Sequence, residues 1–348
     1  MAKLRILTPA GESFTVLKDD YLDESKPLEG LDFEFVECPL SEAGFIAAAP
    51  EADAVYAKGI PFTRRMIEAL PAKCRGIVLG SVGVDSVDVD AATERGIPVT
   101  NCSDTFIEEV ADHAMALLLA GHRRLIEQDR MVREGRWREG RPQLLKLPRL
   151  MGQTLGFFAF GHVARLTARR ARPFGLRMKA YDPFIEELVM SEYGVEPVSL
   201  EEMLSTSDFV SMHAPATPAM RGAFKESYFR MMKPTAWFIN TGRGHTVDEK
   251  GLIRALQEGW IAGASIDVLE QEPPRQDNPL LQMTNVLLSP HNASASARFD
   301  PGRKAHVGRE LLLLLTDRWP MSCVNPSVLV KGNLRRWQPY SMERGPNS

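Results

Sequence analysis

Three residues of types that move protons and hold carboxylates each follow a short apolar run: Arg243 in NTGRG, Glu272 in DVLEQEPP and His291 in SPHNAS. An arginine can grip a carboxylate with two parallel hydrogen bonds and polarise an adjacent carbonyl. A histidine gives or takes the proton of a hydroxyl or carbonyl oxygen near neutral pH. A carboxylate beside that histidine stabilises the imidazolium. Next to a nicotinamide, these parts suffice for reversible hydride transfer between a 2-hydroxy acid and a 2-keto acid. Taken singly, each has a plainer reading: a salt-bridge arginine, a solvated loop acid and a structural histidine.

Such a set needs a scaffold that brings strand ends to one edge. The stretch Gly152 to Phe184, GQTLGFFAFGHVARLTARRARPFGLRMKAYDPF, reads as strand, tight turn, helix, strand and acid. Leu155 to Phe160 suits a buried parallel strand. His162 to Phe174 has helical spacing and is closed by Pro173 and Gly175. Leu176 to Tyr181 is a second strand with Asp182 at its carboxyl end. This is the layout of a dinucleotide-binding βαβ unit, with the helix N-terminus facing a pyrophosphate and the acid accepting from ribose hydroxyls. An ordinary βαβ crossover has the same outline. The glycine fingerprint runs Ala159-x-Gly161-x-x-Ala164, so the central glycine is present and the first, which serves the tight turn, is alanine. If position 159 needs a conformation unfavourable to a β-carbon, the cost is about 1 kcal/mol or more.

Strands are expected at 4–8, 33–38, 52–57, 76–79, 209–212, 236–240, 264–268 and 286–288, with helices at 62–70, 200–204 and 248–258. Strands alternating with helices imply an open parallel sheet that binds ligands at strand carboxyl ends. The Gly80–Gly83 loop is such an end, and its backbone N–H groups can meet an anion. A long helix over Phe106–Arg124 is apolar nearly all round, which suggests burial between domains or subunits. The basic region Arg130–Arg149 is taken as a solvated connection, and 331–348 as a polar tail. His245 is taken as structural. Lys58 either meets a distal anionic group or is simply exposed.

With 348 residues the chain can hold two domains and a sizeable core. Its formal net charge of −3 argues against a dedicated nucleic-acid binder. No apolar run reaches a membrane span, and the N-terminus has no apolar signal core. The four cysteines are isolated, consistent with free thiols in a reducing, cytoplasmic compartment. No metal site is expected.

The blocks GVDSVDVDAATERGIPVTN, EEVADHAMALLLAGHRR, GQTLGFFAFGHVA, INTGRGHTVDEKGLIRALQEGWIAGASIDVLEQEPP and NVLLSPHNA occur in this order between roughly Ala52 and His291. Together they resemble the D-isomer-specific 2-hydroxyacid dehydrogenase family. The IEEVAD helix and the YDPF turn also resemble its C-terminal-binding-protein branch, an NAD(H)-responsive scaffold on the same fold. The resemblance implies an α/β protein of two Rossmann-like or flavodoxin-like domains with parallel sheets. A nucleotide domain at 103–297 would be inserted in a discontinuous substrate domain at 1–102 and 298–330. It implies a homodimer built partly on the Phe106–Arg124 helix, NAD as cofactor and a small 2-hydroxy or 2-keto acid as substrate. Arg243 would hold the substrate carboxylate and carbonyl, His291 would be the acid/base and Glu272 its partner. The backbone of Ser81, Val82 and Gly83 would also hold the carboxylate. Gly161, His162 and Val163 would face the pyrophosphate and Asp182 the adenosine ribose. Ala214, Thr217, Thr241, Gly242, Arg243, Asp267 and His291 would line the rest of the cofactor site. Asp182, followed by Pro183 and Phe184 with no arginine, would repel a 2′-phosphate and so favour NAD over NADP.

Overall fold

The computed structural model describes residues 3–10, 20–332 and 334–336. The chain forms two compact units, one of Met1–Phe106 with Ala297–Ser348 and the other of Ile107–Ser296. Most of the expected polar tail lies outside the described residues.

The first unit is built on β1 (Leu4–Ala10), β2 (Phe33–Pro39), β3 (Ala54–Ala57), β4 (Ile77–Leu79) and β5 (Val99–Thr100). All are parallel, in the order β2-β1-β3-β4-β5. Side chains alternate across the sheet, as the period of a strand requires. Leu7, Val55, Ile77 and Leu79 join Phe45, Phe62 and Met66 on one face. Ile6, Ala54, Tyr56 and Val78 face Val307, Leu311 and Leu314 on the other. That second face explains why the chain returns to this unit: the helix Phe299–Leu315 covers it. Sequence periodicity did not single this helix out because Pro301 and Gly302 stand in its first turn, where proline is tolerated.

The second unit carries β6 (Thr154–Phe158), β7 (Arg177–Tyr181), β8 (Glu196–Pro197), β9 (Phe209–Met212), β10 (Trp237–Asn240), β11 (Gly263–Ile266) and β12 (Val286–Leu288). Their order is β12-β11-β10-β9-β6-β7-β8, again all parallel. The chain runs outward from β6 to β8 and then starts again on the other side at β9. The carboxyl ends of β6 and β9 therefore flank the switch point where such sheets bind ligands. β6 ends at Phe158, two residues before the expected limit, because Ala159 turns the chain.

The helix Ile107–His122 differs from expectation in its partner. Its residues Met115, Leu117 and Leu118 are buried inside this unit with Leu155, Phe157, Trp237 and Ile239. Gly121 comes so close to the sheet that an added Cβ would stand 2.6 Å from the Trp237 Nε1. The basic region after it is also more ordered than a connection. It contains helices Leu125–Arg133 and Trp137–Leu144, whose charges pair locally: Arg133 with Asp129 at 2.8 Å and Arg136 with Glu139 at 2.7 Å. This helical stretch exposes Leu125, Ile126, Val132, Trp137 and Leu145. No described helix is long and apolar enough to cross a membrane.

Candidate active site

In the second unit the carboxyl ends of β10, β11 and β12 each deliver one of the three chemical residues. β10 ends at Asn240, which is 1% exposed. Its Oδ1 accepts from the Gly242 N–H at 3.0 Å and its Nδ2 donates to the Arg243 carbonyl at 3.1 Å. Thr246 Oγ1 donates to the same carbonyl at 2.6 Å. This side-chain-to-backbone pairing shapes the NTGRG turn. Gly244 then lies directly against the segment after β11. An added Cβ would stand 1.9 Å from the Leu269 carbonyl carbon, so only glycine fits. The contact brings the turn that carries Arg243 against the strand end that leads to Glu272.

Glu272 and His291 are bonded directly, with His291 Nδ1 2.6 Å from Glu272 Oε2. The other carboxylate oxygen accepts from the Leu269 N–H at 2.9 Å. Partial burial pushes the Glu272 carboxyl up. The His291 hydrogen bond, the Leu269 N–H and the charges of His291 and Arg243 outweigh burial, and hold it below the usual carboxylate value. Glu272 is thus ionised near neutral pH and accepts from Nδ1. That leaves Nε2 as the ring nitrogen for a substrate, on a side chain 44% exposed.

His291 itself has φ 48, in the left-handed region. Its N–H donates to the Asp267 carbonyl at 2.8 Å. The Asp267 carboxylate, on a residue only 2% exposed, accepts from Ser289 Oγ at 2.6 Å, Asn292 N–H at 3.1 Å and Ala293 N–H at 3.0 Å. These donors engage both of its oxygens, so the Asp267 carboxylate holds the turn of residues 289–293. His113, on the Ile107–His122 helix, reaches Ser289 Oγ at 3.0 Å. Asn240, Ser289 and His113 were not singled out from the sequence. Asn240 had a readable signal, because Asn-x-Gly after a strand is an Asx-turn pattern. The other two had none.

Of the residues expected at the cofactor, Gly161, His162 and Val163 follow β6 at the switch point and Asp182 follows β7. Gly161 is the N-cap of the helix His162–Ala171, with no side chain capping it. A Cβ at Gly161 would meet nothing within 4 Å, so there is open space before the first N–H groups, His162 and Val163. Ala159 has φ 71, the conformation that the missing fingerprint glycine would adopt freely. The Ala159 N–H bonds the Tyr181 carbonyl at 2.9 Å, and the Phe160 N–H bonds Asp182 Oδ2 at 2.8 Å. Asp182 Oδ1 accepts from the Phe184 N–H at 2.9 Å. Each Asp182 oxygen keeps acceptor capacity for a ribose hydroxyl. Ala214 and Thr217 follow β9, and a Cβ at Gly242 would lie 3.6 Å from the Ala214 carbonyl, so these two loops adjoin. The Thr241 hydroxyl is buried without a hydrogen-bond partner among the described residues. An open helix N-terminus and an acid at the next strand end fit a dinucleotide.

In the first unit, Ser81, Val82 and Gly83 follow β4. Ser81 Oγ donates to the Gly83 carbonyl at 2.7 Å and Asn101 Nδ2 to the Val82 carbonyl at 2.6 Å, which pins the loop while Val82 stays 41% exposed. Lys58 is half-buried rather than exposed. Its Nζ is 3.3 Å from the Tyr21 hydroxyl and lies over the Tyr21 and Tyr56 rings. His245 is half-buried, and its carbonyl accepts from the Gly222 N–H at 2.8 Å.

Residues 115–293 match the model of the D-isomer specific 2-hydroxyacid dehydrogenase NAD binding domain. A glyoxylate reductase of Korarchaeum cryptofilum is 42% identical over 301 residues, covering 86% of this chain and 90% of that protein. The chain belongs to the D-isomer-specific 2-hydroxyacid dehydrogenase family. A glyoxylate reductase of Thermococcus litoralis is 38% identical over 270 residues, covering 76% of this chain and 81% of that protein. The NADPH-dependent glyoxylate/hydroxypyruvate reductase of Sinorhizobium meliloti, solved with NADP and malonate, superposes with a TM-score of 0.79 at 32% identity, over 93% of this chain and 97% of that one. As a member of this dehydrogenase family, the protein is an oxidoreductase that uses a nicotinamide dinucleotide.

One feature of the dehydrogenase domain is open to a direct stability test. A left-handed conformation costs a residue with a Cβ about 1–2 kcal/mol, while glycine loses about 0.5–1 kcal/mol more than alanine on folding. The Ala159 methyl also packs on the core and is worth up to about 0.8 kcal/mol, so Ala159→Gly should change stability by less than about 1 kcal/mol and leave NADH binding equal or tighter. Urea unfolding with fluorescence titration checks both, and a loss above about 1.5 kcal/mol, the full value of the methyl and the entropy together, would show that position 159 carries no strain.

Proposed function

We propose that this protein reduces a small 2-keto acid, of the glyoxylate or hydroxypyruvate type, to the 2-hydroxy acid with NADH. The observation that carries the reading is the convergence of Arg243, Glu272 and His291 at adjoining strand ends. Bound NADH would supply the hydride to the substrate's C2. The Arg243 guanidinium grips the keto acid carboxylate and polarises the C2 carbonyl. The Ser81–Gly83 backbone N–H groups after β4 are donors of the kind that a substrate carboxylate takes. Protonated His291 donates from Nε2 to the C2 oxygen, and ionised Glu272 stabilises the imidazolium and fixes the ring through Nδ1. Gly161, His162 and Val163 offer backbone to the pyrophosphate, and Asp182 accepts from the adenosine ribose hydroxyls. Ala214, Thr217, Thr241 and Gly242 line the remaining cofactor path. The unit of Ile107–Ser296 is then the nucleotide domain, and the other the substrate domain. The alternative of a scaffold with little turnover gains no support from the grouping of Arg243, Glu272 and His291.

His291→Ala should lower kcat by about 10²–10⁴-fold, the span of general acid–base catalysis, while NADH affinity stays within a few-fold. Stopped-flow reduction of glyoxylate and NADH fluorescence titration measure the two, and undiminished turnover would sink the assignment.

Asp182 sets the cofactor preference through charge. Like charges about 4 Å apart cost about 1–4 kcal/mol between bulk water and the protein surface. Asp182→Ala should therefore reduce the NADH-over-NADPH preference in kcat/KM about tenfold or more. A wild type that prefers NADPH would overturn this part of the proposal.

The helical stretch from Leu125 to Leu145 supports a homodimer more directly than the Ile107–His122 helix, whose apolar side is used internally. A second copy of the chain would cover Leu125, Ile126 and Trp137. Light scattering should give a dimer for the wild type and a shift towards monomer for the double variant Ile126→Glu, Trp137→Glu. A monomeric wild type would refute the dimer.

A further inference from the structure

We infer that His113 is a positioning residue for the proton-transferring His291, acting through Ser289 and Asp267. The inference rests on His291 having the acid/base role proposed above. The Ser289 hydroxyl has one hydrogen, and the 2.6 Å contact with Asp267 Oδ1 takes it. The same oxygen, 3.0 Å from His113 Nε2, must then accept, so Nε2 of His113 carries the proton. His113 Nε2 is also 3.6 Å from Asp267 Oδ1. The acids of the same helix are engaged elsewhere: Glu109 bonds Ser296, and Glu108 and Asp112 pair with Arg170.

What this relay holds is the turn of residues 289–293. Asp267 draws together the Ser289 hydroxyl and the Asn292 and Ala293 N–H groups, and its own carbonyl takes the His291 N–H. Between these fixed points His291 is bent into the left-handed region at φ 48, which a residue with a Cβ leaves unless its surroundings over-determine it. In that bend its Nδ1 lies 2.6 Å from Glu272 Oε2. The long helix that carries His113 is anchored on the sheet through Met115, Leu117 and Leu118, so His113 is a stiff post from which the turn is braced.

The test compares His113→Phe, which keeps a ring but has no donor, with His113→Gln, whose amide nitrogen can take the place of Nε2. Steady-state kinetics with glyoxylate and NADH are measured together with the downfield imidazole Nδ1 proton of His291, assigned in histidine-labelled protein by its absence from His291→Ala. His113→Phe should lower kcat about tenfold to a hundredfold, the effect of a small misplacement, with KM and NADH affinity changed by less than about threefold. It should also lose the Nδ1 resonance, and His113→Gln should recover most of both. Wild-type kcat and resonance in His113→Phe would overturn the inference. So would equal losses in the Gln and Phe variants with a lowered melting temperature, which would show packing alone. Should His113→Phe fail to fold, Ser289→Ala removes the same link and is read in the same way. A protein that shows the predicted changes in resonance but turns over no 2-keto acid with either cofactor would refute the proposed reaction and leave the positioning role standing.

Discussion

A carboxylate taken out of water is costly unless donors fill its oxygens, and Asp267 meets that demand with the backbone of the turn 289–293. The demand runs in both directions. The turn can take the unfavourable conformation at His291 because leaving it would strand a buried charge. A second constraint is steric. Gly244 presses on Leu269 so closely that no side chain could stand there, and this fixes how near the Arg243 turn comes to the Glu272 segment. One electrostatic and one steric constraint, both lying beyond the sheet edge, thus set the relative positions of three residues from three strands.

The parallel sheet explains why these constraints can be so local. With β9, β10, β11 and β12 hydrogen-bonded in register, the chain leaves each strand at the same edge. Both faces of the sheet are covered by apolar clusters, so the strands cannot shift to accommodate a substrate. Adaptation is left to the loops, and the loops that matter are tied by side chains: Asn240 in one, Asp267 in the next, Asp182 at the β6–β7 end. Rigid placement of this kind is what proximity and orientation in catalysis require.

The strands were legible because a parallel strand buried on both faces is written as a short apolar run, as in FVSM before His213 or WFIN before Thr241. The chemical residues were legible because each follows such a run. What could not be read depends on contacts between residues far apart in sequence. The helix Ile107–His122 is apolar nearly all round, and composition alone does not say whether a sheet, a domain or a second subunit covers it. Phe299–Leu315 carries Asp-Pro-Gly, a turn signature, in its first turn and becomes helical because its later leucines cover one face of the first sheet. His113 and Ser289 are 176 positions apart, and no local pattern joins them.

Ala159 shows how a departure from a motif can be absorbed. The turn after β6 needs a left-handed residue at this point so that the Phe160 N–H can reach Asp182. Glycine would adopt that conformation without strain, but alanine contributes a methyl group that packs against the core beside Phe158. Burying one methyl-sized group recovers about 0.8 kcal/mol, and alanine also gives up less backbone entropy than glycine on folding. These two gains are of the same order as the left-handed cost. The fingerprint's first glycine is therefore a conformational requirement before it is a requirement on the ligand. The pyrophosphate site proposed above lies further on, at Gly161, where the absence of a side chain opens space in front of the helix. Replacing the first glycine strains the turn, whereas a side chain at the second would fill the open space in front of the helix, and this chain has kept the second.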